Sequence, residues 1–402
     1  MHHSETDLKY CRHLHEKFYR PGSLSSGGVT RLGYSKAEDE MHRLFAELAG
    51  ELGAAVQTDE AGNTFAACSD GPHVLMASHL DSVVEGGRYD GVAGVMAGLL
   101  CLKWANDEGL QLPLQIGAFR SEESSNFGIC TIGSGLVTGK VNGEDIADYP
   151  SQDGVAFRDI FSERGYSLHP AQIEAPLAFL ELHIEQGKVL DETGDEVGIV
   201  TDITGFRRYL VELRGSADHS GATPMDMRQD ALCAAAEIIL AMEKLGRTES
   251  VHHSVSTVGI IHNVPNVLNV IPGHVRLGID NRSTDDQSLD RMEARLRDIL
   301  TEVCSRRAVE YTSEKITHFL PVKLDQELED GLASVAEKLG LSYRRMPSGA
   351  GHDAMCFPPF CPTAMVFVPC DRGISHNPLE YTSPENILDG ARVIYQYLKE
   401  NF

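Results

Sequence analysis

Side chains that commonly bind metal ions occur at four places in the sequence, and each place follows a stretch that is typical of a strand. They comprise three histidines, one aspartate and two adjacent glutamates: His79, Asp90, Glu122, Glu123, His183 and His376. Imidazole nitrogens and carboxylate oxygens bind zinc or manganese, and one carboxylate can bridge two ions. This set of residue types is typical of a binuclear metal site.

Each of these residues, taken alone, has an ordinary explanation. A single histidine at a strand end is usually solvated or packed in a core, and an aspartate in a glycine-rich loop is usually a turn residue. Two adjacent glutamates usually begin a solvated helix. Asp81, two residues after His79, either orients an imidazole ring or caps a loop. The metal-site hypothesis depends on the conjunction, because every piece follows a predicted strand.

The elements that must position these residues are predicted by the hydrophobic pattern. Residues 35–38 form a capping box that begins a helix. Residues 73–79 and 114–120 are typical of buried strands, and residues 91–108 of an apolar helix between them. Strand, helix and strand predict a right-handed βαβ unit in a parallel α/β sheet. In such sheets ligands bind at the carboxyl ends of the strands.

The pattern changes near residue 204. It predicts antiparallel strands at 206–213, 254–262 and 267–280, and helices near 226–245 and 287–304. The tail returns to α/β character, with a strand at 363–369 and a final helix that begins at Ser383-Pro384. We predict two domains: an α+β domain, residues 206–317, inserted into a discontinuous α/β domain formed by residues 1–205 and 318–402.

Composition narrows the class of protein and its partners. The 402 residues include 35 Lys and Arg against 59 Asp and Glu, a formal net charge of −24. This excess of acid disfavours nucleic acid and anionic membrane surfaces as partners. The sequence predicts no secretory leader and no bilayer span. Nine scattered cysteines without a CxxC pair favour reduced thiols, so we predict a cytoplasmic protein.

Seven motifs together resemble the hydantoinase/carbamoylase branch of the M20 metallopeptidase superfamily. They are SHLDSVxxGGRYDG, EE(S)S, LHIEQGxVLD, ADHSGATPM, NVIPG, SGAGHDA and GISHNP, and the likeness runs from Gly28 to Gly390. The resemblance implies a zinc-exopeptidase-like catalytic domain with a mixed, largely parallel sheet. It also implies that the inserted α+β domain is a lid that forms a homodimer.

The resemblance implies a role for each candidate ligand. His79, Asp90, Glu123, His183 and His376 would hold two divalent ions, with Asp90 bridging them and with His79 and Glu123 assigned to the same ion. Zinc is the expected metal, and manganese, nickel and cobalt also suit such ligands. Glu122 would be the general base that deprotonates the attacking water and then protonates the leaving nitrogen.

The resemblance also implies residues that bind substrate. His219 would reach into the partner subunit's site and stabilise the oxyanion, while Asn269 and Arg282 would bind the substrate carboxylate. Further contacts would come from Gln186 and from the loop Gly349, Ala350 and Gly351. The substrate would therefore be a small anionic ureido compound.

Several alternatives stay open at the level of the sequence. Allantoate is slightly favoured over N-carbamoyl-L-amino acids, because residues 206–209 and 373–378 look closer to allantoate-type enzymes. Ureidoglycolate and N-carbamoyl-β-alanine are further candidates. Asn126 stands where family members often have arginine, which leaves the details of substrate binding open. An M20-type aminoacylase or dipeptidase and a non-catalytic homologue are the competing hypotheses.

Overall fold

The computed structural model describes residues 3–402, and the chain divides into two compact units. The first contains the residues up to Thr201 together with Lys323–Phe402, and the second, inserted unit is Asp202–Val322. The predicted inserted domain was 206–317, and the last long strand of the second unit continues two residues further, to Phe319, which pairs with Phe206. None of the helices among the described residues is both long and apolar enough to cross a membrane.

A nine-stranded mixed sheet forms the centre of the first unit. Its strands are β1 (Ala55–Thr58), β2 (Thr64–Ala67), β3 (Val74–His79), β4 (Leu114–Phe119), β5 (Ala178–Ile184), β6 (Val197–Ile203), β11 (Val322–Lys323), β12 (Tyr343–Ser348) and β13 (Thr363–Val368). The order is β1-β2-β4-β3-β5-β13-β6-β11, and β12 pairs with β6. The central pairs are parallel and the flanking pairs antiparallel. The predicted α/β class and mixed sheet are confirmed.

Helices cover this sheet. They are α1 (Glu5–Tyr19), α2 (Lys36–Glu51), α3 (Val92–Glu108), α4 (Ile132–Val137), α5 (Gly143–Ile146), α6 (Phe157–Arg164), α7 (Val189–Thr193), α10 (Gln326–Leu339) and α11 (Pro384–Asn401). The predicted helix starts are confirmed, since Ser35 and Ser383 cap α2 and α11 with their side chains. The α3 helix packs against both the sheet and α11, and small residues allow its close approach. A Cβ on Gly94 would lie 2.3 Å from the Leu182 carbonyl oxygen.

The inserted unit is a four-stranded antiparallel sheet with two helices. Its elements are β7 (Gly205–Arg214), α8 (Ala231–Glu249), β8 (Val255–Val264), β9 (His274–Ser283), α9 (Asp286–Arg307) and β10 (Glu310–Phe319), with sheet order β10-β7-β9-β8. Its core joins the inward sheet face to both helices and includes Val211, Leu277, Ile238 and Leu296.

One strand of the inserted unit differs from its predicted range. The predicted strand 267–280 begins only at His274. Pro265 and Pro272 flank the preceding loop, and proline has no N–H to donate to a sheet. The segment before His274 therefore forms a connection between β8 and β9 rather than part of the sheet.

Candidate metal centre and active site

Two buried histidines face each other at the carboxyl ends of neighbouring strands. The register that pairs Val74 of β3 with Ala178 of β5 sets His79 beside His183. Their Nε2 atoms are 3.5 Å apart. The Oδ1 atom of Asp90, in the loop before α3, lies 3.2 Å from Nε2 of His183 and 3.7 Å from Nε2 of His79. These three residues form one group that could hold a metal ion.

The second group shares Asp90 with the first. Nε2 of His376 lies 3.4 Å from the other carboxylate oxygen of Asp90 and 2.9 Å from Oε1 of Glu123. Asp90, Glu123 and His376 thus form a separate candidate group. This division differs from the predicted assignment of His79 and Glu123 to one ion. The physical reason is that β3 pairs directly with β5, so the closest imidazole to His79 is that of His183.

The atoms that converge on Asp90 fit a cation. Nδ1 of His183 donates a hydrogen bond to the carbonyl of Ile184 at 2.9 Å, and Nδ1 of His79 lies 3.3 Å from Oδ1 of Asp81. These contacts favour the neutral tautomers that carry the proton on Nδ1. Each Nε2 atom then has a lone pair that points toward the Asp90 carboxylate. Lone pairs facing a buried carboxylate need a proton or a metal ion between them. The donor set of imidazole and carboxylate suits zinc and related divalent ions.

Buried charges shift the titration of these groups in opposite directions. Burial by itself lowers the pKa of His79, but the hydrogen bond to Asp81 and the charge of Glu122 raise it well above its usual value. Burial by itself raises the pKa of Asp90, but its contacts with His183 and His79 lower it overall. The aspartate is therefore ionised at neutral pH, the form in which a carboxylate can hold a metal ion.

The two adjacent glutamates lie on a segment held by Asp81. Its carboxylate accepts hydrogen bonds from the backbone N–H groups of Glu122 and Glu123, both at 3.0 Å. Ser121, just before them, has a left-handed φ of 51°. This bend turns both carboxylates toward the histidines: Glu123 reaches His376, and Oε2 of Glu122 lies 3.8 Å from Nε2 of His79.

The environment of Glu122 favours proton exchange. The side chain is buried, and burial, together with the charges of Glu123 and Asp353, raises its pKa well above its usual value, against the opposing effect of His79. A carboxylate that does not hold an ion directly, and whose affinity for a proton is increased, is suited to act as a general base. Glu122 thus lies beside the candidate ligands without belonging to either group.

Gln186, predicted as a substrate contact, lies among the candidate ligands. It follows β5 with a left-handed φ of 57°. Its amide nitrogen is 3.3 Å from Oδ1 of Asp90, 3.2 Å from Oγ of Ser375 and 3.2 Å from Nε2 of His376. The predicted loop 349–351 lies between β12 and His352. The ring centroid of His352 lies 4.5 Å from that of His183.

Glu380 is a residue of the site that sequence reasoning missed. One carboxylate oxygen accepts the N–H groups of Tyr89 and Asp90 at 2.9 and 3.1 Å. The other accepts the hydroxyl of Ser375 at 2.8 Å and the N–H of His376 at 3.3 Å. Glu380 therefore joins the two loops that carry Asp90 and His376. Its position four residues after His376 gave no signal of this role, because the hydrogen bonds it accepts are visible only in the folded chain.

The inserted unit brings together only some of its predicted substrate residues. Backbone pairing joins the loops of His219 and Asn269, since the N–H of Ser220 donates to the carbonyl of Asn269 at 3.1 Å. Nδ1 of His219 accepts the N–H groups of Gly221 and Ala222 at 3.1 and 3.2 Å, which leaves the proton of the neutral ring on exposed Nε2. Arg282 instead lies near the other end of β9.

Two residues that bore on substrate preference have local structural partners. Arg207 is buried within the inserted unit and pairs with Asp286, Asp290 and Glu293. Asn126 donates to the carbonyl of Gly33 at 2.7 Å and accepts the N–H of Gln152 at 3.1 Å. Each of these side chains is thus held by partners within its own unit.

The sheet, the two groups of ligands and the adjacent buried glutamate together define a metal-dependent hydrolase. The chain belongs to peptidase family M20/M25/M40, whose model matches residues 75–400. The family predicted from the sequence and the predicted class of enzyme, an amidohydrolase, are confirmed.

Relatives with similar lengths come from the predicted branch. An allantoate amidohydrolase of Bacillus subtilis is 34% identical and the match covers 94% of this chain and 93% of the relative. An N-carbamoyl-L-amino acid amidohydrolase of Geobacillus stearothermophilus is also 34% identical, with 93% of each chain covered. The crystal structure of a hydantoinase/carbamoylase family amidase from Burkholderia multivorans matches with a TM-score of 0.90 at 34% identity, covering 98% of this chain and 97% of that one.

Proposed function

We propose that this protein hydrolyses the ureido C–N bond of a small carboxylate substrate, allantoate or an N-carbamoyl-L-amino acid. Water adds to the ureido carbonyl carbon and one C–N bond breaks, which leaves a carbamic acid. The carbamic acid then loses CO₂ as its remaining C–N bond breaks, so the products are one ammonia, one CO₂ and the amine of the substrate. The observation that carries the proposal is the convergence of two ligand groups on Asp90 beside a buried Glu122. Full-length similarity to relatives with these two activities supports it.

Each residue of the centre has a defined task in this proposal. His79, Asp90 and His183 hold one divalent ion, zinc being the first expectation, and Asp90, Glu123 and His376 hold a second. When bound, such ions polarise a carbonyl and make water acidic. Glu122 takes the proton of the attacking water and delivers it to the leaving nitrogen. Asp81 and Glu380 fix the backbone of the segments that carry the base and the ligands.

The inserted unit would supply recognition of the substrate. The Nε2–H of His219 can donate to the oxygen of the scissile carbonyl as charge develops there. The guanidinium of Arg282 would bind the carboxylate of the substrate. This local positive charge explains how an acidic protein accepts an anion. Gln186 and the 349–351 loop would line the remaining side of the site.

The position of these residues supports a homodimer through the inserted unit. Asn269 lies in the loop before His274, and Arg282 is eight residues further along β9, which corresponds to about 27 Å of strand. One small substrate cannot contact both in the same chain, so two chains would contribute to one site. The β8 strand is at the edge of its sheet and exposes Val255, Ile260 and Ile261. An apolar edge strand is suited to pair with a second copy.

We also propose a cytoplasmic location. All nine cysteines are free in the structure, and most of them are buried. Reduced, buried thiols are typical of proteins kept in a reducing compartment.

A panel of substrates tests the function. The purified protein, loaded separately with zinc, manganese, nickel or cobalt, is assayed for ammonia release from allantoate, N-carbamoyl-L-amino acids, ureidoglycolate and N-carbamoyl-β-alanine, and for cleavage of dipeptides and N-acyl amino acids. Turnover of a ureido compound is expected. Turnover of dipeptides or N-acyl amino acids alone would support the aminoacylase or dipeptidase alternative.

A pair of variants separates catalysis from simple binding. Glu122→Gln should lose at least about 100-fold in kcat while retaining its metal. Glu185→Gln is the matched control, because this buried glutamate accepts the N–H groups of Val189 and Leu190 and lies outside both ligand groups. Undiminished turnover in Glu122→Gln would exclude Glu122 as the base. No turnover of any substrate by the loaded native protein would favour the non-catalytic homologue.

A further inference from the structure

Three consecutive backbone N–H groups around the candidate base are each bonded to a buried carboxylate. Asp81 accepts from Glu122 and Glu123. The N–H of Ser121, the first of the three, donates to Oε1 of Glu38 at 2.8 Å. Glu38 belongs to α2 and is far from the ligands in sequence, yet it completes the hydrogen bonding of the segment that carries Glu122.

The Glu38 carboxylate is well suited to hold this segment. It is fully buried, and both of its oxygens are used. Oε2 accepts the N–H of Tyr34 at 2.5 Å and Nη1 of Arg120 at 3.0 Å. Arg120 precedes Ser121 directly, so the ion pair and the Ser121 hydrogen bond fix two successive residues. A buried carboxylate is stable only with such partners.

The conformation of Ser121 requires support of this kind. Its φ of 51° lies in the left-handed region, which is strained for a residue other than glycine. The opposite side of Ser121 is in close contact with Gly33, where a Cβ would lie 2.1 Å from the serine Oγ. Ser121 is thus enclosed between Glu38 and Gly33, and its bend sets the direction in which Glu122 leaves the sheet.

We propose that Glu38 is a positioning residue for the base Glu122, acting through the N–H of Ser121. This inference rests on the proposed function for its effect on turnover. Without the Glu38 carboxylate, Ser121 relaxes from its left-handed conformation and the Glu122 carboxylate moves relative to the ligands. A displacement of about 1 Å can lower a rate by about 100-fold, so the effect should appear in kcat rather than in KM.

The variant Glu38→Gln tests this role. A glutamine side chain has only one oxygen that can accept hydrogen bonds. If this oxygen keeps the bonds from Tyr34 and Arg120, the NH₂ group faces the N–H of Ser121, which then has no acceptor there. Assays at pH 8 keep the native carboxylate ionised, since burial raises the pKa of Glu38 to about 7. We expect kcat to fall about 10- to 100-fold, KM to change less than threefold and bound metal to stay at the native level.

Asp39→Asn is the matched control. Asp39 contacts the same Arg120 nitrogen, at 2.7 Å, and also Arg164, but it accepts no hydrogen bond from residues 121–123. We expect its kcat to stay within twofold of the native value. An equal loss of kcat in both variants would overturn the proposal, because the loss would then follow from the ion pair with Arg120 and not from Ser121.

Hydrogen exchange measured by mass spectrometry gives a readout that does not depend on turnover. Peptides that contain residues 121–123 should exchange about 10-fold faster in Glu38→Gln than in the native protein, and at the native rate in Asp39→Asn. Unchanged exchange in Glu38→Gln would overturn the positioning role. If the native protein hydrolysed no ureido substrate, the proposed function would fail, while the exchange result would still decide the role of Glu38. Should Glu38→Gln not fold, Glu38→Asp keeps the charge and withdraws it from Ser121, with the same results expected.

Discussion

Replacing Asp81 by asparagine should weaken metal binding without changing the shape of the side chain. Asp81 is buried, and its two oxygens face three donors: the N–H groups of Glu122 and Glu123, and Nδ1 of His79. An asparagine offers only one oxygen. In one orientation its NH₂ group opposes Glu123 N–H, and in the other it opposes both Glu122 N–H and His79 Nδ1.

The magnitude follows from the number of donors left without an acceptor. A buried N–H that loses its acceptor costs about 1–3 kcal/mol, and the orientation that costs less leaves one such group. Loss of the carboxylate beside His79 also makes this imidazole a weaker ligand, and changes of this kind typically lower metal affinity 10- to 100-fold. We therefore expect the dissociation constant of an ion held by His79, Asp90 and His183 to rise about 10- to 100-fold.

The assay is a competition titration with a chromophoric chelator, combined with elemental analysis after dialysis. Asp325→Asn is the control, because Asp325 also accepts two backbone N–H bonds, from Glu327 and Leu328, at the start of α10. It should lose stability and keep its metal. Native metal affinity and native kcat in Asp81→Asn would refute the reasoning that this carboxylate orients the ligand and the base segment.

Three further changes have defined outcomes. Gly91→Ala places a Cβ 2.3 Å from Cδ2 of His79, which must then move. The metal content, measured by elemental analysis, should fall from two ions per chain toward one. Two tightly bound ions in this variant would contradict the prediction. Burial raises the pKa of Glu293, but Lys315 and other hydrogen-bond donors lower it more, to about 2. The free energy by which the ionised Glu293 stabilises the fold is therefore complete above about pH 4.5 and is lost as the pH falls through 2. The melting temperature of Glu293→Gln should be a few degrees below native at pH 6 and nearly equal at pH 2.5 by calorimetry; a constant difference would exclude this linkage. Ile261→Glu, on the exposed edge strand β8, should convert a dimer to monomers in light scattering, whereas an unchanged mass would argue against an interface there.

The parts of the fold that the sequence predicted are those with a strong hydrophobic pattern. The buried strands β3 and β4 and the apolar helix α3 agree with their predicted ranges within one residue at each end, because each is buried along nearly all its length. The β10 strand was missed, since it is mostly exposed on both faces and shows no alternation. Its place in the sheet depends on pairing with β7, which no local pattern reveals.

Some residues of the candidate site could likewise be predicted from the sequence, whereas others could not. Ligands such as His79 and His183 were predicted because each ends a recognisable strand within a distinctive motif. Glu38 and Glu380 were not, because they act on backbone N–H groups that lie distant in sequence or in another loop. A carboxylate that accepts main-chain hydrogen bonds leaves no pattern in the sequence around its partners, so only the folded chain reveals it.

The order of strands has a consequence for how the protein is synthesised. The β13 strand lies between β5 and β6 in the sheet, although it follows them by more than 150 residues in the chain. Until residues 363–368 leave the ribosome, β5 and β6 cannot have their final neighbour, and His376, which follows them in the chain, cannot join the other candidate ligands. The inserted unit, whose residues are continuous, can fold earlier during synthesis. We expect a nascent chain to contain a folded insert and an open, apolar sheet, so the growing protein should depend on chaperones until residues 363–368 emerge.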